Sequence, residues 1–165
     1  MSELNQLFKQ DLILFESVST QRELFENVGA KLLEMGLVKP AYTNALIERE
    51  SHYPTGLDLS VVGENTPNVA IPHTETEYCN AEQVVIVKLE NEVPFYNMIS
   101  PDKKLNVKFA FFILNHQKKA QTNILSSLME FFTQDGNVSS LNQLNSKEEI
   151  FQFIQSKTIK RSALI

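Results

Sequence analysis

Two stretches of this chain are too continuously apolar to be strands with one wet face. Val84-Val85-Ile86-Val87-Lys88-Leu89 shows no alternation, and Leu105, Val107, Phe109, Phe111 and Ile113 alternate with Asn106 and Lys108 only at first, before the run becomes wholly apolar. Such strands are buried on both faces, so helices must cover both sides of the sheet that holds them. Amphipathic helical segments intermingle with these strands along the chain. The expected class is therefore α/β, a three-layer α-β-α sandwich around a central mixed sheet. With 165 residues, 42% hydrophobic and 21% charged, there is enough chain for one domain with a substantial core. No repeat, low-complexity tract or linker divides 1–165.

Local signals place the helices. Thr20-Gln21-Arg22-Glu23 is a capping box, and Leu24, Val28 and Leu32 with Phe25, Leu33 and Met35 give the helix after it an apolar stripe that ends near Gly36. Pro40 suits the first turn of a second helix running from Ala41 to about Ser51. A third spans about Ala120 to Gln134, and a second capping box, Ser146-Lys147-Glu148-Glu149, announces a last one. Val69 to Ile71 reads as a short buried strand ended by Pro72, which has no N–H for a ladder. Leu12-Ile13-Leu14-Phe15 is either a short strand or a docking segment, and Val93 to Met98 is a short extended piece. Asp58 to Asn68 reads as an exposed loop. Residues 1–10 and 157–165 are expected to fray.

Composition excludes several functions. No run reaches the ~18 apolar residues of a membrane span, and the N-terminus lacks a basic segment followed by an apolar core, so a cytoplasmic protein without membrane insertion is expected. The single cysteine, Cys79, cannot close an intramolecular disulfide, and no Cys/His pair has zinc-ligand spacing, which fits a reducing compartment and neither metal nor cofactor. A formal charge of −5 and a pI near 5.2 argue against nucleic acid and are compatible with a basic protein partner. No phosphate-binding glycine loop, HExxH, GxSxG or CxxC is present.

Four residues remain as candidates for chemistry. His73 is delivered at a strand end, where open α/β sheets build their sites. Tyr42, Ala45, Leu46 and Arg49 recur at helical spacing, so the stripe facing the protein ends in a guanidinium, while Glu48 and Glu50 are placed on other faces of the helix. Arg49 needs an anion, either a distant carboxylate in a structural ion pair or a bound phosphoryl group. Thr55 lies in the Pro54-Thr55-Gly56 turn, as a turn hydroxyl or a hydrogen-bond donor, and Gln121 begins the apolar face of the third helix in the same two-way sense. Neutral imidazole is a good nucleophile, and a phosphoryl group on it needs its charge met by a guanidinium and polar donors. His52 and His116 read as surface residues, and Glu75 and Glu77 as solvated charges or minor contacts to a basic partner.

Ala45-Leu46-Ile47-Glu48-Arg49-Glu50, Tyr53-Pro54-Thr55-Gly56-Leu57 and Val69-Ala70-Ile71-Pro72-His73-Thr74, in that order, resemble the signature of the enzyme IIA components of the sugar phosphotransferase system, in the fructose/mannitol (type 2) superfamily. The sequence is most similar to the galactitol-type branch, over roughly residues 20 to 155. The resemblance implies the mannitol-type enzyme IIA fold as one domain over 1–165. It also implies a phosphocarrier subunit: His73 accepts a phosphoryl group from HPr and passes it to a cysteine of a cognate enzyme IIB. That subunit serves uptake of a galactitol-like or related sugar through the membrane component IIC. Arg49 corresponds to the family's active-site arginine. Gln121 falls where mannitol-type members carry a second histidine, and galactitol-type members also tolerate glutamine. The loop Asp58 to Asn68 is longer than usual.

Two other functions compete. A regulatory enzyme IIA-like protein would use the same fold as a phosphorylation sensor that binds other proteins. A small-molecule-binding domain would use His73 as a ligand contact and need no phosphoryl donor.

Overall fold

The computed structural model describes residues 4–134 and 136–158, with the side chains of 118–122 outside the described part. Five strands form one mixed sheet: β1 (Ile13–Glu16), β2 (Gly56–Leu57), β3 (Asn68–Ala70), β4 (Gln83–Tyr96) and β5 (Lys104–Leu114), in the order β1-β4-β5-β3-β2. β1 runs parallel to β4 and β3 parallel to β5, whereas β4/β5 and β2/β3 are antiparallel.

The two apolar runs are the adjacent central strands, and successive side chains leave by opposite faces. Val84, Ile86, Phe109, Phe111 and Ile113 pack with α3 (Lys118–Thr133), α4 (Asn137–Asn142) and α5 (Lys147–Thr158). Val85, Val87, Ala110, Phe112 and Leu114 pack on the other side with α1 (Gln21–Glu34) and α2 (Tyr42–His52). The three layers thus follow from strands with no face left for water.

Both capping boxes are in place. The Thr20 hydroxyl accepts from the Glu23 N–H at 3.1 Å and the Ser146 hydroxyl from the Glu149 N–H at 3.2 Å. Gly36, at φ +76°, supplies the left-handed residue after α1.

Elsewhere tertiary packing decided what local pattern left open. In the Leu12–Phe15 segment, Leu12 closes a short 3-10 turn and Ile13 opens an edge strand, β1. The piece from Val93 is no separate element but the second half of β4, resumed after a break in register between Lys88 and Val93. Exposed Glu90, Asn91 and Glu92 occupy the break, and beyond it Phe95 meets Phe25 edge-on at 6.0 Å. α4 has no counterpart in the sequence reading, since six residues carry too little periodicity to register. At the N-terminus, where fraying was expected, Leu7 and Phe8 are buried against the α5 layer. Residues 1–3 and 159–165 lie outside the described part.

Candidate active site

His73 is held at the sheet's end by β5. Pairing passes the proline: β3 ends at Ala70, but the Pro72 carbonyl accepts from the Ile113 N–H at 3.0 Å, and His73 bridges to Ile113 in parallel. Proline needed only its carbonyl there, so the missing N–H costs nothing. His73 is 8% exposed, and its Nδ1 lies 2.7 Å from the Ile71 carbonyl. A carbonyl can only accept, so Nδ1 carries the proton and Nε2 keeps its lone pair in the neutral ring. Burial holds the His73 pKa below its ordinary value. The bond to Ile71 works against that shift, the Arg49 charge adds to it and Glu75 opposes it. A neutral, single-tautomer imidazole results.

Arg49 is half-buried on α2, with Nη1 3.5 Å from Glu75 Oε2 and its guanidinium carbon 5.2 Å from the Tyr53 ring centroid. Its Nε is buried and has no hydrogen-bond partner among the described residues. Glu75 is therefore a carboxylate partner of Arg49. It is a loose one, a single contact from a side chain that is half in water, and such pairs are weak. The guanidinium keeps donors to offer an anion beside His73.

Helical spacing placed Glu50 on a different face from the inward stripe that ends in Arg49, and the structure corrects it. The buried stripe of α2 is Tyr42, Leu46 and Glu50, spaced by four, with Arg49 on its shoulder. Glu50 is 4% exposed and accepts from the Thr55 N–H at 2.7 Å and the Thr55 hydroxyl at 2.8 Å. Its pKa is raised from 4.5 to about 7, chiefly by burial, with the Thr55 bonds and the Arg49 charge pulling the other way. The spacing from Tyr42 was the available signal; taking Arg49 as the inward member of an adjacent pair concealed it.

Thr55 is buried, its hydroxyl turned to Glu50, and its carbonyl accepts from the Ile71 N–H at 3.2 Å. His73, Arg49 and Thr55 are thus brought to one region. Gln121 falls in the first turns of α3, but its side chain lies outside the described residues. His116 sits exposed with Nδ1 3.9 Å from Glu82, and His52 is exposed at the end of α2. Cys79 is buried, its sulfur 3.8 Å from the Thr74 hydroxyl. Among the described residues no three His, Cys, Asp or Glu side chains converge as a metal-ligand group, and no helix is long and apolar enough to cross a membrane.

Comparison with known proteins places the fold and the family. The family model described as "Phosphoenolpyruvate-dependent sugar phosphotransferase system, EIIA 2" matches residues 6–157. A galactitol-specific EIIA component of Escherichia coli is 25% identical over 119 residues, covering 72% of this chain and 75% of its own. Among solved structures, IIA mannitol from Escherichia coli superposes with a TM-score of 0.70 at 20% identity, covering 88% of this chain and 97% of that one. The complex of enzyme IIA mannitol and phosphorylated enzyme IIB mannitol from the same organism gives 0.70 at 22% identity, over 91% and 99%. These likenesses carry the mannitol-type IIA fold. A match that runs through every element of the sheet and both helical layers makes the chain a member of the EIIA 2 family, a phosphotransferase component of a sugar phosphotransferase system.

Proposed function

We propose that His73 is the phosphoryl acceptor of this carrier, taking the group from HPr and delivering it to a cysteine of a cognate enzyme IIB. The observation that carries the reading is the bond between His73 Nδ1 and the Ile71 carbonyl, which leaves Nε2 as the ring's nucleophilic atom. The Nε2 lone pair forms the new bond to phosphorus while the bond from phosphorus to the donor breaks, and the donor leaves with that electron pair. The proton stays on Nδ1, donated to the Ile71 carbonyl throughout, so the ring that forms is a cationic phosphoimidazolium, a good leaving group for the next transfer, toward IIB. Arg49 faces the charge on the equatorial oxygens, exchanging its loose contact with Glu75 for the phosphoryl group. Gln121, from the start of α3, is proposed as a further donor to a phosphoryl oxygen, and Glu75 and Glu77 as contacts to a basic donor protein. The Escherichia coli relatives suggest galactitol or a related polyol as the sugar that the partner subunits IIB and IIC take up, and we place this subunit's work in the cytoplasm.

Incubation with phosphoenolpyruvate, enzyme I and HPr should place an acid-labile phosphate on His73, and His73→Ala should abolish it. Labelling of the His73→Ala protein at His52 or His116 would overturn the assignment. Transfer from the labelled protein to the galactitol-type IIB supports the transport reading. A phosphate accepted from HPr but refused by every IIB tried would favour the sensor.

A further inference from the structure

We propose that Glu50 is a positioning residue for phosphoryl transfer: its buried carboxyl anchors the Thr55 turn, and through Thr55 and Ile71 it holds the His73 ring with Nδ1 protonated and Nε2 free. The inference rests on His73 being the acceptor, and it adds what keeps that ring ready.

An unbroken series of hydrogen bonds links the two residues. Glu50 accepts both the N–H and the O–H of Thr55, at 2.7 and 2.8 Å. The Thr55 carbonyl accepts the Ile71 N–H at 3.2 Å, and the Ile71 carbonyl accepts the His73 Nδ1–H at 2.7 Å. Two bonds from one carboxyl to the amide and hydroxyl of a single residue fix the orientation of that residue, where one bond would leave it free to pivot. Thr55 stands immediately before the Gly56-Leu57 strand that pairs with Ala70 and Val69, so its position sets how Ile71 leaves β3. The Ile71 carbonyl in turn selects the tautomer of the ring.

The cost of the arrangement argues that it has a use. Position 50 completes the buried stripe of Tyr42 and Leu46, where an apolar side chain would avoid the desolvation that a carboxyl incurs. Among the described residues no cation pairs directly with the carboxyl, and the neighbouring Arg49 charge offsets the cost only in part; its described hydrogen-bond partners are both on Thr55. Adjacent residues of α2 thus divide the work. Arg49 meets charge at the edge of the site, and Glu50 sets the loop that aims the acceptor.

The experiment reads the ring nitrogens of the unphosphorylated protein and, separately, its rate of phosphorylation by phospho-HPr. Long-range proton–nitrogen correlation on imidazole-labelled protein should show Nδ1 protonated and Nε2 unprotonated in the wild type. Glu50→Ala should shift the ring toward a mixture of tautomers and slow the maximal rate per folded molecule on the order of 10-fold, with KM for phospho-HPr little changed, since misplacing an acceptor costs rate more than partner binding. Glu50→Gln, which keeps an oxygen that can accept from Thr55, should recover most of both losses. Should Glu50→Ala not fold, Thr55→Ala removes the hydroxyl bond alone and should move both readouts in the same direction by less. A folded Glu50→Ala or Thr55→Ala protein with wild-type ring nitrogens and wild-type rate overturns the proposal. A wild-type protein that shows the expected tautomer yet takes no phosphate on His73 would instead refute the acceptor reading, so the two failures are distinguishable.

Discussion

Replacing Glu50 by glutamine should change how stability depends on pH, and the size of the change follows from the site. Glu50 is 4% exposed, and burial of its carboxyl outweighs the Thr55 bonds and the Arg49 charge, so its pKa rises from 4.5 to about 7. In the unfolded chain it returns to the ordinary value. Below pH 4.5 it is protonated in both states and contributes no penalty. Between 4.5 and 7 the folded state binds the proton and the unfolded state does not, so stability falls as pH rises through this window. Above 7 both states are ionised and the folded protein carries the full difference, roughly 3 kcal/mol at about 1.4 kcal/mol per pH unit. Glutamine has no proton to lose. Urea unfolding of wild type and Glu50→Gln at matched salt, from pH 5 to 8, isolates the term, because every other titration cancels in the difference. The variant should gain on the wild type by roughly 2 to 3 kcal/mol across that range. A difference that stays flat with pH would show that the carboxyl is not desolvated and refute the placement of Glu50 on the buried stripe.

Further consequences can be checked independently. His73, with burial and then Arg49 acting against its protonated form, should titrate below 6.5 by NMR; a midpoint at or above that value would contradict the buried neutral ring. Because the unfolded chain takes up this proton first, the stability that the neutral ring contributes above pH 6.5 should be lost as pH falls through the native midpoint. Arg49→Ala should leave the fold intact and slow phosphoryl transfer on the order of 10² or more, the usual scale for one preorganised charge-stabilising donor. Undiminished transfer would reduce Arg49 to the partner of Glu75. Gly56→Ala should destabilise by about 1–3 kcal/mol in urea unfolding, since the added carbon would lie 2.6 Å from the Tyr96 carbonyl and 3.3 Å from Phe95 Cβ. Unchanged stability there would mean that the β4 hairpin does not press on this turn.

Much of this protein is written in short-range pattern. Thr20 with Glu23 and Ser146 with Glu149 start their helices because a cap needs only residues within one turn. The two apolar runs require a sheet covered on both sides because no arrangement with a wet face could bury them. Arg49, Pro54-Thr55-Gly56 and Ile71-Pro72-His73 mark the candidate site through residue types suited to the proposed phosphoryl chemistry. What these patterns could not settle depended on contacts between distant segments. Whether Arg49 or Glu50 turns inward is a difference of one residue on a helix, about 100° of rotation. It was decided by Thr55, whose amide and hydroxyl wait beneath the helix end. That Val93 continues β4 followed from the partner strand resuming register beyond the break. The protonated nitrogen of His73 is fixed by a carbonyl two residues away only because β5 holds the chain past Pro72. Local sequence names the groups and their order, while burial and hydrogen-bond partners, which arise only when the layers close, determine their charge and orientation.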